Sequence, residues 1–464
     1  MAIWLPDLEG RSGPKYLQIV EAMAEDVASG RLATGTQLPP HRELAYQLDV
    51  SANTTSRAYA EAVRRALLRG EVGRGTFVRS IDDSVPHEKP NTLHRPQTGP
   101  VDLSRNLPFP GFAEPHVRRI LNEISGGSGL HSLLDYQAEA ELEAHTNAGL
   151  KWLEKCGVEA RREEIVATMG AQHGLLCVLT SILSPGDLLL TEQLTYTPIC
   201  AIAERLGLHT RQVDMDTAGV IPDSFEEQCR TSKPRAFYLT PTLQAPTTVT
   251  LSDTRRQSIA EIANRYGVII IEDDVFGPLK TDRPETIAMR APDHTVYVTS
   301  LSKAVAPGLR VGFLRAPERL MPGVRQAINL SVWMTPPLML EVAARLIVDG
   351  LAGELATRQR TLAAKRQALA RSILGDVEFA SDINGLHIWL PLFNDLRADV
   401  FRAQCAQQGV LVSEARSFSA QPDGVPEAIR ICLSHEPNEM RLKQALQKVA
   451  DLIKAPSSSY MLSI

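Results

Sequence analysis

Apolar residues along this chain fall into three successive patterns. In YLQIVEAMAEDVASG (16–30) they recur at helical spacing and stop at Gly30, a residue suited to ending a helix. LPPHRELAYQLDV (38–50) places Pro40 to open a short helix, with Leu44, Ala45 and Leu48 facing inward. SANTTSRAYAEAVRRALLRG (51–70) begins on Ser51, a natural N-cap. These spacings predict helix, short turn, helix. EVGRGTFV (71–78) then reads as a two-stranded wing, turning at Gly73 and Gly75 with Arg74 at its tip. In the second pattern, RSIDDSVPHEKPNTLHRPQTGP (79–100), proline and charge replace periodicity, which marks a linker. The third pattern starts near Val101. Short β-branched runs (EEIVATM, DLLLTEQ, RAFYLTPT, GVIIIEDD, HTVYVTSL and RVGFLRAP) alternate with amphipathic stretches. Near-continuous apolar strands of this kind predict a mostly parallel sheet covered on both faces.

Beyond about Pro336 the pattern turns helical. Short strands follow near GLHIWLPL, GVLVSEA and AIRICLS, which predicts a smaller α+β subdomain. The expected organisation is therefore multi-domain. A helical unit with a β wing spans 1–80, a linker 81–100, and an α/β domain 101–464. Within the last, a large subdomain covers about 137–335 and a small one about 101–136 and 336–455.

Composition narrows this picture. The 44% apolar and 22% charged residues are those of an ordinary globular protein, and the net charge of −5 excludes a polycation. Nucleic-acid contact therefore has to come from a local patch. One is present: Arg57, Arg64, Arg65, Arg69, Arg74 and Arg79 outnumber Glu61 and Glu71. The six cysteines include no CxxC pair, which argues against a zinc cluster or a disulfide framework. The opening MAIWLPDLEGRSG lacks a basic region followed by an apolar core, and no run approaches a membrane span. The expectation is a cytoplasmic protein that needs no metal.

Two clusters carry chemistry. At the start of the second short helix, Asn53, Thr54, Thr55 and Arg57 can reach phosphates or base edges. On helix pattern alone, a protein–protein adaptor with a solvated arginine face stays open. In the other cluster, Lys303 follows the apolar strand HTVYVTSL, where ligands bind in open α/β sheets. Ser300, Ser302 and Arg310 are donors suited to a phosphate. TMGAQHGLL is a strand end, glycine turn and helix start, which makes an anion site. IIIEDDV ends another strand in carboxylates. Taken singly, each is an ordinary surface feature.

Taken together they resemble known families. SGRLATGTQLPPHRELAYQLDVSANTTSRAYAEA…GRGTFV resembles the winged helix-turn-helix of GntR-type repressors along its length. The resemblance implies binding to double-stranded DNA through Arg42, Ser51, Thr55, Arg57 and Gly75, with Asn53 and Arg74 beside them; His41 stands where a small hydroxyl residue is usual. Residues 101–455 resemble the fold-type I aminotransferases that use pyridoxal phosphate (PLP), and the combination resembles the MocR/GabR class of regulators. That resemblance implies several roles. Lys303 forms the Schiff base with PLP, Asp273 partners the pyridine nitrogen, and Tyr196 stacks on the ring. Ala171, Gln172, Ser300, Ser302 and Arg310 hold the phosphate. Tyr136 reaches the phosphate of a second subunit in a homodimer, and Arg430 grips an effector carboxylate.

Three departures are visible. Ala245 replaces the asparagine before a Pro-Thr pair, DDVFG (273–277) carries no tyrosine after the aspartate, and Glu141 replaces a glycine. With both usual partners of the cofactor's 3-hydroxyl missing, the expectation is PLP binding with weak or absent transamination. The leading function is a transcription regulator that senses a small amino compound by Schiff-base exchange at Lys303 and binds paired DNA half-sites. The alternatives are a working aminotransferase with a tethering DNA-binding unit, and a PLP-free regulator with a relic domain.

Overall fold

The chain divides into two units, Met1–Thr92 and Leu93–Ile464, and among the described residues of the first are three helices and a three-stranded sheet. The computed structural model describes residues 4–8, 10–33, 35–65, 67–71, 75–78, 98–137, 143–393, 396–421 and 424–454. In the first unit the helices are Lys15–Ala28, His41–Gln47 and Ala52–Arg64. They enclose Ile19, Met23, Leu44, Ala58 and Ala62, all fully buried. Ser51 caps the third helix by accepting from the Thr54 N–H at 3.1 Å. The sheet places Gly75–Val78 between Gln37–Leu38 and Leu68–Glu71, antiparallel to both. The short strand Gln37–Leu38 was not anticipated, because two residues show no period. Gly73 and Arg74 lie outside the described residues.

Thr55 has a task different from the expected one. It is fully buried, and its hydroxyl donates to the His41 carbonyl at 2.7 Å and to that of Ala52 at 3.1 Å. It ties the two short helices together and offers no surface to DNA. Replacing it with valine strands the His41 carbonyl, at a cost of about 1–3 kcal/mol. Thr55→Val is expected to give an earlier first transition in thermal unfolding of the full chain, and Thr55→Ser to retain the native one.

In the second unit a seven-stranded sheet runs in the order Ile165–Thr168, Gly312–Arg315, Thr295–Ser300, Ile269–Asp273, Ala236–Leu239, Leu188–Glu192, His209–Val213. Gly312–Arg315 alone is antiparallel to its two neighbours; the other pairings are parallel. Alternate residues of single strands enter different cores, so the sheet is covered on both faces. Leu189, Tyr238, Ile271 and Val298 pack with Leu175, Val178 and Met321. Leu190, Phe237 and Ile270 pack with Phe225, Ile259 and Ala263 on the other face. Six of these strands follow the apolar runs. The seventh, HTRQV, is an edge strand of which only Val213 is buried, so it carries no apolar run.

A second, antiparallel sheet orders Ala380–Ser381, His387–Pro391, Ala428–Cys432 and Ser413–Glu414. Ile388, Leu390, Ile429 and Ile431 pack there on Phe401, Leu442 and Leu446. Val101–Asp102 pairs in parallel with Val410–Leu411, which ties the start of this unit to its C-terminal part. Among the described residues no helix is long and apolar enough to cross a membrane, and no group of three His, Cys, Asp or Glu is placed to hold a metal.

Candidate functional site

A cavity of about 330 Å³ opens at the carboxyl ends of the parallel strands. Nine of the expected residues line it: Ala171, Gln172, Tyr196, Asp273, Ser300, Ser302, Lys303, Arg310 and Arg430. The strand Thr295–Ser300 delivers the lysine. After it a turn swings the half-buried Lys303 inward, where its amine donates to the Asn106 carbonyl and lies 5.2 Å from the centre of the Phe276 ring. Burial lowers its pKa to about 8; Arg430 works in the same direction, while Cys432 and Asp273 oppose it. The amine is therefore available in neutral form well below the ordinary lysine range.

The opposite wall is an anion cradle. Helix Ala171–Ile182 starts after Gly170, which holds a φ of 80° and leaves the first turn without a side-chain cap. Arg310 sits in left-handed backbone with a φ of 53°, and its guanidinium donates to the Met169 carbonyl at 3.3 Å. A Cβ on Gly170 would lie 3.1 Å from that guanidinium, so the close approach requires glycine there. Ser300 is buried, and its Oγ accepts from the Ser302 N–H at 3.3 Å.

Asp273 closes the floor. It is buried, and Tyr238 donates its phenol hydrogen to Oδ2 at 2.8 Å. Oδ1 is buried with no hydrogen-bond partner. Burial, aided by the charge of Asp274, raises this carboxyl to about 6, against the bonds from Tyr238 and the Val275 main chain and the charge of Lys303. Tyr196 is partly exposed at the rim, with its hydroxyl 3.5 Å from Gln172 Oε1. Arg430 enters from the second sheet. Its guanidinium lies 4.4 Å over the Phe418 ring, one nitrogen donates to the Ser104 carbonyl, and Nε is buried and unpartnered.

Tyr136 lies elsewhere. It is 74% exposed, edge-on to Trp333 at 5.8 Å, and does not line the cavity. Ala245 and Phe276 do line it, so the two departures present apolar surface to its interior. Gln244 cannot compensate: its amide donates to the Leu194 carbonyl and accepts from the Thr247 N–H at 2.9 Å. Glu141 lies outside the described residues. Sequence reasoning missed Asn106, His387 and Tyr238. Tyr238 had a signal, since it shares a sheet face with Asp273, pairing with Ile271 two residues before Asp273 on the neighbouring strand.

On the first unit, Arg42, Asn53 and Arg57 are exposed, and Arg57 also lies 4.4 Å over the Tyr16 ring. Ser51 is exposed at the N-terminus of the third helix. Gly75 has a φ of 118°, and a Cβ there would meet Gln37 at 2.7 Å.

Residues 101–449 match the family described as aminotransferase class I and II. This chain belongs to that family. Residues 15–78 match the bacterial regulatory proteins of the gntR family. The class I and II aminotransferase domain is thus joined to a GntR-type DNA-binding domain, the MocR-type arrangement. The chain is 26% identical over 453 residues to the HTH-type transcriptional regulator YdeF of Bacillus subtilis, covering 97% of this chain and 96% of that protein. It is 27% identical to the vitamin B6 salvage pathway transcriptional repressor PtsJ of Salmonella typhimurium, over 90% of this chain and 94% of that one. Among solved structures, kynurenine aminotransferase of Pyrococcus horikoshii superposes with a TM-score of 0.72 at 22% identity, covering 79% of this chain and 93% of that one.

The family implies PLP, and the cavity of this aminotransferase domain fits it. The orphaned, buried Oδ1 of Asp273 calls for a hydrogen donor, which a protonated pyridine nitrogen supplies. The uncapped helix start beside Ser300, Ser302 and Arg310 calls for an anion, which a phosphate supplies.

Proposed function

We propose that this chain is a cytoplasmic, homodimeric transcription regulator whose aminotransferase-like domain senses a small amino compound through PLP. One observation carries the reading: a pKa-lowered lysine amine, an unpartnered carboxylate oxygen, an anion cradle and an arginine meet in one cavity, on a chain that also carries a GntR-type domain. Bound PLP would supply an electrophilic carbonyl for exchange between amines. The first-turn N–H groups of Ala171 and Gln172, with Ser300, Ser302 and Arg310, would anchor its phosphate. Asp273, steered by Tyr238, would hold the ring nitrogen, and Tyr196 would cover the ring face. Lys303 supplies the resident amine, and Arg430 would take the effector's carboxylate. Apolar Ala245 and Phe276 leave the cofactor's hydroxyl without its usual partners, which favours sensing over turnover. Binding energy that differs between conformations then biases the DNA-binding units.

Exposed Leu134, Tyr136, Leu330 and Trp333, from 58% to 78% accessible, support a second copy as partner. On the DNA side, Arg42→Ala and Arg57→Ala are each expected to weaken binding across sequences. Each should flatten the slope of log affinity against log salt by about 1 if it meets a phosphate. The decisive experiment titrates PLP-loaded protein with a panel of amines and amino acids, and reads visible absorption alongside operator affinity. A ligand that moves both supports the reading. Absorption changes that leave DNA affinity untouched across the panel count against it.

A further inference from the structure

Two carbonyls of one short segment occupy two of the three cationic groups that line the cavity, Lys303 and Arg430. The Lys303 amine donates to the main-chain oxygen of Asn106, and the Arg430 guanidinium donates to that of Ser104. On either side the chain is pinned to the second sheet and its surroundings. The Leu103 N–H donates to the Leu411 carbonyl and the Cys432 N–H to that of Leu103, both at 2.8 Å. Downstream, the Ser434 hydroxyl donates to the Leu107 carbonyl, and the Phe109 N–H donates to Gln359 Oε1 at 2.9 Å.

Between these anchors a single buried ring steadies the Asn106 side chain. His387, 1% exposed, has Nε2 at 3.1 Å from the Pro246 carbonyl and Nδ1 at 3.0 Å from Asn106 Nδ2. A carbonyl only accepts, so Nε2 carries the hydrogen, and Nδ1 is left as the acceptor for the Asn106 amide. Burial, aided by the charge of Arg430, lowers the imidazole to about 3, so it stays neutral and keeps both roles at physiological pH.

We propose that His387 is a positioning residue, which through the Asn106 side chain holds residues 104–106 across the cavity so that their carbonyls restrain the Lys303 amine and the Arg430 guanidinium. The proposal rests on the reading of this cavity as the effector site. It has a direct consequence for sensing: a ligand carboxylate on Arg430 competes with the Ser104 carbonyl for the guanidinium. A carboxylate adds an opposite charge and can accept two guanidinium N–H groups side by side, which favours it over a single neutral carbonyl. The freed segment lies next to Val101–Asp102, the first strand after the stretch that leads from the DNA-binding unit.

The test uses the full chain without PLP. His387→Phe fills the site and removes both polar contacts, whereas His387→Gln can still accept from Asn106 and donate to Pro246. Acetylation of Lys303 by acetic anhydride is scored by peptide mass spectrometry against exposed Lys151. We expect a several-fold faster rate in His387→Phe, the wild-type rate in His387→Gln, and the same order in hydrogen exchange of a peptide covering 101–110. Asn106→Ala cuts the same tether without opening the buried His387 site, and is expected to match His387→Phe. Wild-type rates in both His387→Phe and Asn106→Ala overturn the proposal, as does a His387→Gln rate equal to that of His387→Phe. Neither readout needs cofactor or effector, so these results stand apart from any failure of PLP binding.

Discussion

Lys303→Ala saturated with PLP is expected to lack the Schiff-base band and to lose the cofactor on gel filtration, while the wild type shows the band and keeps it through the column. The longer-wavelength Schiff-base band, distinct from that of the free aldehyde, requires a covalent link between cofactor and amine, and Lys303 supplies the amine in the described cavity lining. The phosphate cradle and Asp273 remain in the variant, so PLP still binds, but reversibly and without the band. The effector response is lost, because exchange between amines needs a resident amine. Operator binding without effector is kept, since the N-terminal unit has its own core of Ile19, Met23, Leu44 and Ala58.

The pH dependence follows from burial. The Lys303 pKa lies at about 8 instead of 10.5, so its neutral, nucleophilic form accumulates as pH rises through about 8. The rate at which the band develops should climb with pH and level off above that point. A rate still climbing towards the ordinary lysine range would show an amine in bulk water. A wild type that never shows the band would remove the cofactor from the account.

Arg430→Ala is expected to weaken binding of carboxylate-bearing effectors by roughly 30-fold or more, with little change for amines that lack a carboxylate. Truncating one partner of a buried, hydrogen-bonded charge pair costs about 2–5 kcal/mol, and the lower end of that range sets the fold-change. The guanidinium is preorganised for two parallel bonds. Stacking on Phe418 fixes its plane, and its Nε is buried with no partner. Lysine does not substitute, since a point charge offers no planar fork. Spectral titration with the amino acid that moves the wild-type band most would measure the loss. Equal affinities in Arg430→Ala and wild type would assign the carboxylate to another group.

Much of the site is legible along the chain because of where a parallel sheet puts its strand ends. An apolar run that stops at a polar residue announces a carboxyl end, and Asp273 and Ser300 both stand at such stops. Gly170 marks the turn that opens the anion cradle for the same reason. The direction of Gly312–Arg315 is not legible, because an apolar run reads alike in a parallel and an antiparallel strand. Nor is the edge strand His209–Val213, whose polar residues face solvent. Thr55 misleads for a different reason: its place on the helix allows an outward or an inward side chain, and only the packing of His41–Gln47 turns it in.

The sequence by itself determined the two modules, six of the seven strands of the large sheet, and the residues that gather at the strand ends, because hydrophobic period and turn chemistry are local properties of the chain. Tertiary structure alone decided what those residues do to one another. It lowered the Lys303 pKa by burial, left one oxygen of Asp273 unpaired, and joined Asn106 to His387 across 281 positions. Desolvation and hydrogen-bond geometry depend on which surfaces close together in space, and no spacing along the chain encodes that directly.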